Sequence, residues 1–156
     1  MIKSLNALMS SWTYGREILF SFLLDLSDED LDKLLSRQAL NTIRLQIEEL
    51  LEIQYYYVDA MKTGRMTFSG KLEYEMTKEG LLKGLKTCDN MLVNVLNECD
   101  GTEEVVWSHG GAIDIHTHFA NMIGHEMMHI GQIIAFCYAT DIQIPEKVVS
   151  TMFLDG

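Results

Sequence analysis

Cations are scarce in this chain: 12 lysines and arginines face 23 aspartates and glutamates, for a formal net charge of −11. Binding to a phosphate backbone or an anionic lipid surface needs clustered cations, so neither nucleic acid nor a membrane surface is an expected partner. Proline occurs once, at Pro145, which leaves long stretches where no missing N–H interrupts a helix. The three cysteines, Cys88, Cys99 and Cys137, are odd in number and form no C-x-x-C pair. That argues against a disulfide framework and for a reduced, cytoplasmic chain. No apolar run approaches the ~18 residues that a membrane span requires, and Met1-Ile2-Lys3-Ser4 lacks the apolar stretch of a signal peptide. Linker-like tracts and internal repeats are missing too, so one domain over residues 1–156 is expected.

What is present is helical periodicity. From Ser4 to Leu26, apolar residues recur at Leu5, Leu8, Trp12, Leu19, Phe22, Leu23 and Leu26, a spacing of three and four. Ser27-Asp28-Glu29-Asp30 resembles a capping box and predicts a short helical turn. A second long helix is expected from about Asn41 to Thr63, with Gly64 placed to end it. On it, Asn41, Arg44, Glu48, Glu52 and Asp59 form the outer arc, and Ile43, Ile47, Leu50, Gln54, Tyr57 and Met61 the inner one. Residues 65–75 read as a connector. Thr77 caps a third long helix reaching Glu98, and Glu103 to Trp107 is a short extended segment before the Gly110-Gly111 break. The fourth runs from Asp114 to Tyr138, apolar nearly all round except at Glu126. Pro145 starts a last short helix, Glu146 to Leu154. The sum is an all-α fold, a four-helix bundle with a long connection and a short C-terminal helix.

The fourth helix carries the chemistry. His125 and His129 stand four residues apart, about 400° of rotation and roughly 6 Å of rise. Both imidazoles therefore leave one face, which is half of a metal site. The stripe His118, Met122, His125, His129, Gln132 and Phe136 mixes polar with apolar residues where a core stripe would be uniformly apolar. Core histidines satisfied by other partners explain it as well as a metal does, but two of them need at least two extra hydrogen-bond partners. His118 lies about 10 Å along the axis from His125, too far to complete the site, so a third ligand must come from another helix. His125-Glu126-Met127-Met128-His129 formally matches H-E-x-x-H, in which Glu126 would be a general base. No downstream ligand accompanies it, and a protease is not favoured. Gly124 and Gly131, seven apart, are expected to permit close approach of a neighbouring helix.

Two segments extend the argument beyond spacing. His125-Glu126-Met127-Met128-His129-Ile130-Gly131-Gln132-Ile133 is similar to H-E-x-H-H-R-G-Q-I. Thr42 to Leu50 and Met61 to Phe68 are similar to a second helix and its exit in the same proteins. On these motifs the chain resembles, over nearly its whole length, the DinB-like proteins. This superfamily of metal-binding four-helix bundles includes the YfiT-like proteins and the bacillithiol and mycothiol S-transferases. The resemblance implies a divalent metal held by one residue of the second helix and by His125 and His129. Where those relatives carry the second-helix histidine, this chain has Glu49, giving a set of His125, His129 and Glu49 that suits zinc, nickel or iron(II). Gln46 sits deeper in the apolar arc and is a substitute partner. Ile130 replaces the arginine of the signature and removes an anion contact.

The resemblance further implies a metal-dependent thiol transferase or hydrolase acting on a small molecule, such as a low-molecular-weight thiol, and a homodimer. The alternative is a noncatalytic dimeric bundle with a degenerate metal site. No cluster of arginines for recognising a thiol is present. Tyr55, Tyr56, Tyr57, Met122 and Phe136 either line an apolar cleft or fill the core.

Overall fold

The computed structural model describes residues 1–35 and 41–154. Six helices and a two-stranded hairpin make up the described chain: α1 (Lys3–Asp25), α2 (Asp28–Leu31), α3 (Ile43–Thr63), α4 (Lys78–Glu98), β1 (Glu104–Val106), β2 (Ala112–Asp114), α5 (Ile115–Thr140) and α6 (Glu146–Met152). The fold is all-α with a four-helix bundle of α1, α3, α4 and α5. Among the described residues no helix is long and apolar enough to cross a membrane.

Local chemistry fixes the helix ends where the residue pattern places them. Ser27 Oγ accepts from Asp30 N at 3.1 Å, and Asp30 Oδ2 accepts from Ser27 N at 3.2 Å, a complete capping box. Thr77 caps α4 through Gly80 N at 3.0 Å. Thr42 caps α3 by accepting from Leu45 N at 3.2 Å. Gly64 ends that helix at φ 73°, a left-handed position that glycine adopts without a Cβ clash. The extended segment at residues 104–106 has a partner that periodicity did not reveal: Ala112–Asp114 pairs with it antiparallel, Val105 opposite Ile113.

The core is divided. One apolar cluster holds Leu19, Phe22, Ile47, Leu50, Leu85, Ile130 and Ile133, and a second holds Leu5, Trp12, Tyr57, Leu92, Phe119 and Met122. Membership gives the helix directions. The first cluster takes the C-terminal half of α1 and α5 but the N-terminal half of α3 and α4, so α3 and α4 run parallel to each other and antiparallel to α1 and α5. Parallel neighbours cannot be joined by a tight turn, and residues 65–77 are the crossover that returns the chain. That crossover is anchored on α3 by Tyr74, whose hydroxyl donates to Glu52 at 3.2 Å and Glu48 at 3.3 Å. Gly84 lets α4 approach, since a Cβ there would stand 2.7 Å from Leu51 Cδ2.

Two expectations are corrected. Arg44 is not part of the outer arc; it is 9% exposed because α2 folds its acidic face over it. Its Nε donates to Asp32 Oδ1 at 2.6 Å and its Nη2 to Asp28 Oδ1 at 2.7 Å, which holds the Asp32 carboxyl below the usual range. Gly124 and Gly131 are exposed, and a Cβ at either would meet nothing within 4 Å among the described residues. Rotation about the axis turns them away from α1 and α3, the helices that α5 packs on. Gly131→Leu is therefore expected to cause no loss of stability. With helix propensity favouring leucine, chemical denaturation is expected to show a gain of up to about 1 kcal/mol; a loss above that size would mean the position is packed after all.

Candidate metal centre

α5 packs against α1 and α3 together, so the side chains it turns inward meet residues of both. His125 is half-buried and His129 buried, with ring centroids 4.7 Å apart in an edge-to-face arrangement. The one-turn spacing has brought the two imidazoles side by side. Their hydrogen bonding is incomplete: His125 Nδ1 and both ring nitrogens of His129 are buried with no hydrogen-bond partner among the described residues. Buried polar atoms are rarely left so.

Burial pushes the pKa of both imidazoles down, the His129 charge pushes that of His125 further, and the Glu49 carboxylate opposes the fall at each. Glu49 thus lies within electrostatic reach of both rings, on the exposed face of α3. Among the described residues no three histidine, cysteine or carboxylate side chains stand close enough together to enclose an ion. Gln46 is buried and directs its amide Nε2 to Asn41 O at 3.2 Å, with Oε1 lacking a partner.

His118, one heptad before His125, belongs elsewhere. It is fully buried and its Nε2 donates to the Tyr57 carbonyl at 3.0 Å, which fixes the tautomer and leaves Nδ1 as an acceptor without a donor. Burial again lowers its pKa. Its ring packs on Tyr57 at 4.8 Å and Trp107 at 5.7 Å, and Tyr57 reaches His125 at 6.5 Å. Tyr57 and Met122 are core residues, while Tyr55 and Tyr56 are half-buried.

Glu126 is not poised as a base beside the histidines. It is 1% exposed and turned toward α1 and α3, where its Oε2 accepts from Gln54 Nε2 and lies 3.6 Å from Arg16 Nη2. Arg16 also donates to Gln54 Oε1 at 2.6 Å and to Asp89 Oδ1 at 3.0 Å, and Trp12 Nε1 donates to Asp89 at 3.2 Å. The Arg16 guanidinium carbon sits 4.5 Å from the Trp12 ring centroid. This polar layer crosses the bundle at the level where the two apolar clusters part.

One cation serves two carboxylates in that layer. Burial raises the pKa of Asp89, and burial outweighs Arg16 at Glu126, pushing it up to about 7. The folded chain therefore holds the Glu126 proton more tightly than the unfolded chain does. Stability from that proton is complete below the ordinary glutamate range and is lost as pH rises through about 7. The expected result is that Glu126→Gln, which keeps an acceptor for Gln54, gains on the wild type in melting temperature as pH rises from about 5 to 8. Buried histidines are common to both proteins and cancel from the difference. A difference independent of pH would mean that Glu126 ionises normally in the fold.

Arg16 and Asp89 were visible but unread in the residue pattern. Arg16 falls in the apolar register of α1, four after Trp12 and three before Leu19, and Asp89 falls four after Leu85 and three before Leu92. A charge in a core register is the signal that both gave.

Compared by sequence, the chain matches no family model and no curated protein. Compared by structure, it is similar to a crystal structure of a DinB-like protein from Bacillus cereus ATCC 10987, with a TM-score of 0.71 over 90% of this chain and 95% of that one. The fold is DinB-like. At 17% identity that likeness concerns the path of the backbone. In this chain His125 and His129 lie on α5 and Glu49 on α3, against which α5 packs.

Proposed function

We propose that His125, His129 and Glu49 hold a divalent transition metal, zinc, nickel or iron(II), and that the protein is a metal-dependent transferase or hydrolase of a small molecule. One observation carries the reading: three ring nitrogens of two adjoining imidazoles are buried with no hydrogen-bond partner among the described residues. Lone pairs that protein atoms leave unused suit an electron-pair acceptor, and imidazole with carboxylate is a donor set for borderline cations. When bound, such an ion supplies Lewis acidity, which turns a water or a small thiol into a nucleophile near neutral pH.

The chain's own residues prepare the place for it. Burial keeps both imidazoles neutral, the state that donates a lone pair. Glu49 contributes negative charge from across the α3–α5 interface, where an exposed carboxylate can swing toward the rings. Glu126 is withheld from proton transfer by Gln54 and Arg16, so the H-E-x-x-H protease reading lacks its base.

Metal analysis of untagged protein purified without chelator tests the proposal. Stoichiometric zinc, nickel or iron in the wild type, and loss of it in the His125→Ala/His129→Ala double variant, is the expected result. Equal metal content in both would overturn the assignment.

A further inference from the structure

A second group of reactive side chains stands at one end of the bundle, about 13 Å along α5 from His125. Because α1 and α5 run in the same direction, their first turns share that end. Ser4, in the first turn of α1, places its Oγ 2.8 Å from Nε2 of His116, in the first turn of α5. On the other side of the imidazole, Asp114 Oδ1 lies 3.6 Å from Nδ1. Serine, histidine and aspartate thus follow one another through the two ring nitrogens, the order in which an imidazole turns a hydroxyl into a nucleophile.

The surroundings hold each member in its role. Asp114 is fixed by Thr117, whose N donates to Oδ1 at 3.0 Å and whose Oγ1 donates to Oδ2 at 2.6 Å. At 3.6 Å it makes no hydrogen bond to the ring, but its charge favours the tautomer with the proton on Nδ1. Nε2 then presents its lone pair to Ser4. Gly101, at φ 94°, seats its loop against the imidazole: a Cβ there would stand 3.3 Å from His116 Cε1 and 2.5 Å from Ile2 Cδ1. At the start of α1, Ile2 supplies no side-chain cap, and its carbonyl accepts from Asn6 N at 3.0 Å. The N–H groups of Lys3, Ser4 and Leu5 therefore have no acceptor within the helix, and donors of that kind stabilise the oxyanion of acyl transfer. Ser4 itself is exposed.

We infer that Ser4 is a nucleophile and His116 its general base, with Asp114 positioning the imidazole, in a site that takes the acyl group of small uncharged carboxylic esters. Size and charge follow from the setting: Ile2 offers one apolar side chain beside an open hydroxyl, and a chain of net charge −11 repels anions. As Oγ bonds to the ester carbonyl carbon, its proton passes to Nε2. The bond to the alcohol oxygen breaks and that oxygen takes the proton. Water, deprotonated by the same nitrogen, then releases the acid and restores the hydroxyl. The activity goes beyond the metal-site reading and uses none of its residues.

A fluorophosphonate and p-nitrophenyl acetate, applied to chelator-treated protein, are the probes. The fluorophosphonate is expected to label the wild type, and peptide mass spectrometry to place the label on Ser4. Ser4→Ala and His116→Gln are each expected to lower p-nitrophenyl acetate hydrolysis at least about tenfold, and His116→Gln to slow labelling as much. Asp114→Asn keeps the helix cap, since asparagine caps as well as aspartate, and is expected to slow both reactions at an unchanged melting temperature. Absence of label, label spread over other serines, equal labelling of Ser4 in His116→Gln, or full reactivity in Asp114→Asn would overturn the inference.

Discussion

Zinc or nickel is expected to raise the melting temperature of the wild-type chain and to leave His129→Ala unmoved. A ligand that binds only the folded state stabilises it by about 2.7 kcal/mol when free metal is a hundredfold above its dissociation constant. For a chain of this length that is a shift of about 5–10 °C. His129 is the decisive position because both its ring nitrogens are buried and unpartnered; alanine there removes the lone pair while relieving an unsatisfied group. The metal-free variant is therefore expected to melt no lower than the metal-free wild type by more than the lost packing. The increment has a pH dependence of fixed sign. A proton competes with the ion for each imidazole, so the metal-induced shift shrinks as pH falls through the histidine range near 6.5. Glu49→Gln separates the ligands: a reduced shift places the carboxylate on the ion, and an undiminished one leaves only the two imidazoles from this set. If the wild type shows no shift at neutral pH, the bundle with a degenerate site is the correct reading.

The second large effect lies in the polar layer. Arg16→Met is expected to destabilise the chain by about 3–5 kcal/mol, the loss when one partner of a buried ion pair is removed. The reason is what stays behind: Glu126 remains buried and Asp89 half-buried, without the cation that faces both. Methionine roughly keeps the aliphatic bulk against Trp12, so the loss reads the charge and not a cavity. Because the stranded carboxylates escape the penalty by taking up protons, the deficit is expected to grow with pH. Urea unfolding at about pH 5 and pH 8 measures both, through the linkage of proton uptake to stability. A deficit under about 1 kcal/mol at the higher pH would show that water reaches the layer and that Arg16 is dispensable.

Much of this protein was determined by local sequence. Ser27, Thr77 and Gly64 set helix ends because a cap acts on backbone groups within four residues, and periods of three and four set which faces are apolar. These suffice for four long helices, a short one after Pro145, and two histidines on a single face. The tertiary structure decided everything that depends on which helix lies opposite. Periodicity gives an angle about an axis but not the neighbour at that angle, so Arg44 read as solvated until α2 closed over it, and Gly124 and Gly131 read as a contact although no helix lies there. Arg16 and Asp89 become a single polar layer only where α1 and α4 bring them to one level. The pairing of residues 104–106 with 112–114, which sets Trp107 beside His118, joins strands across a turn whose residues announce a break and not a register. Glu49 is the sharpest instance: its charge reaches both imidazoles because α3 packs on α5, and no spacing within either helix contains that distance.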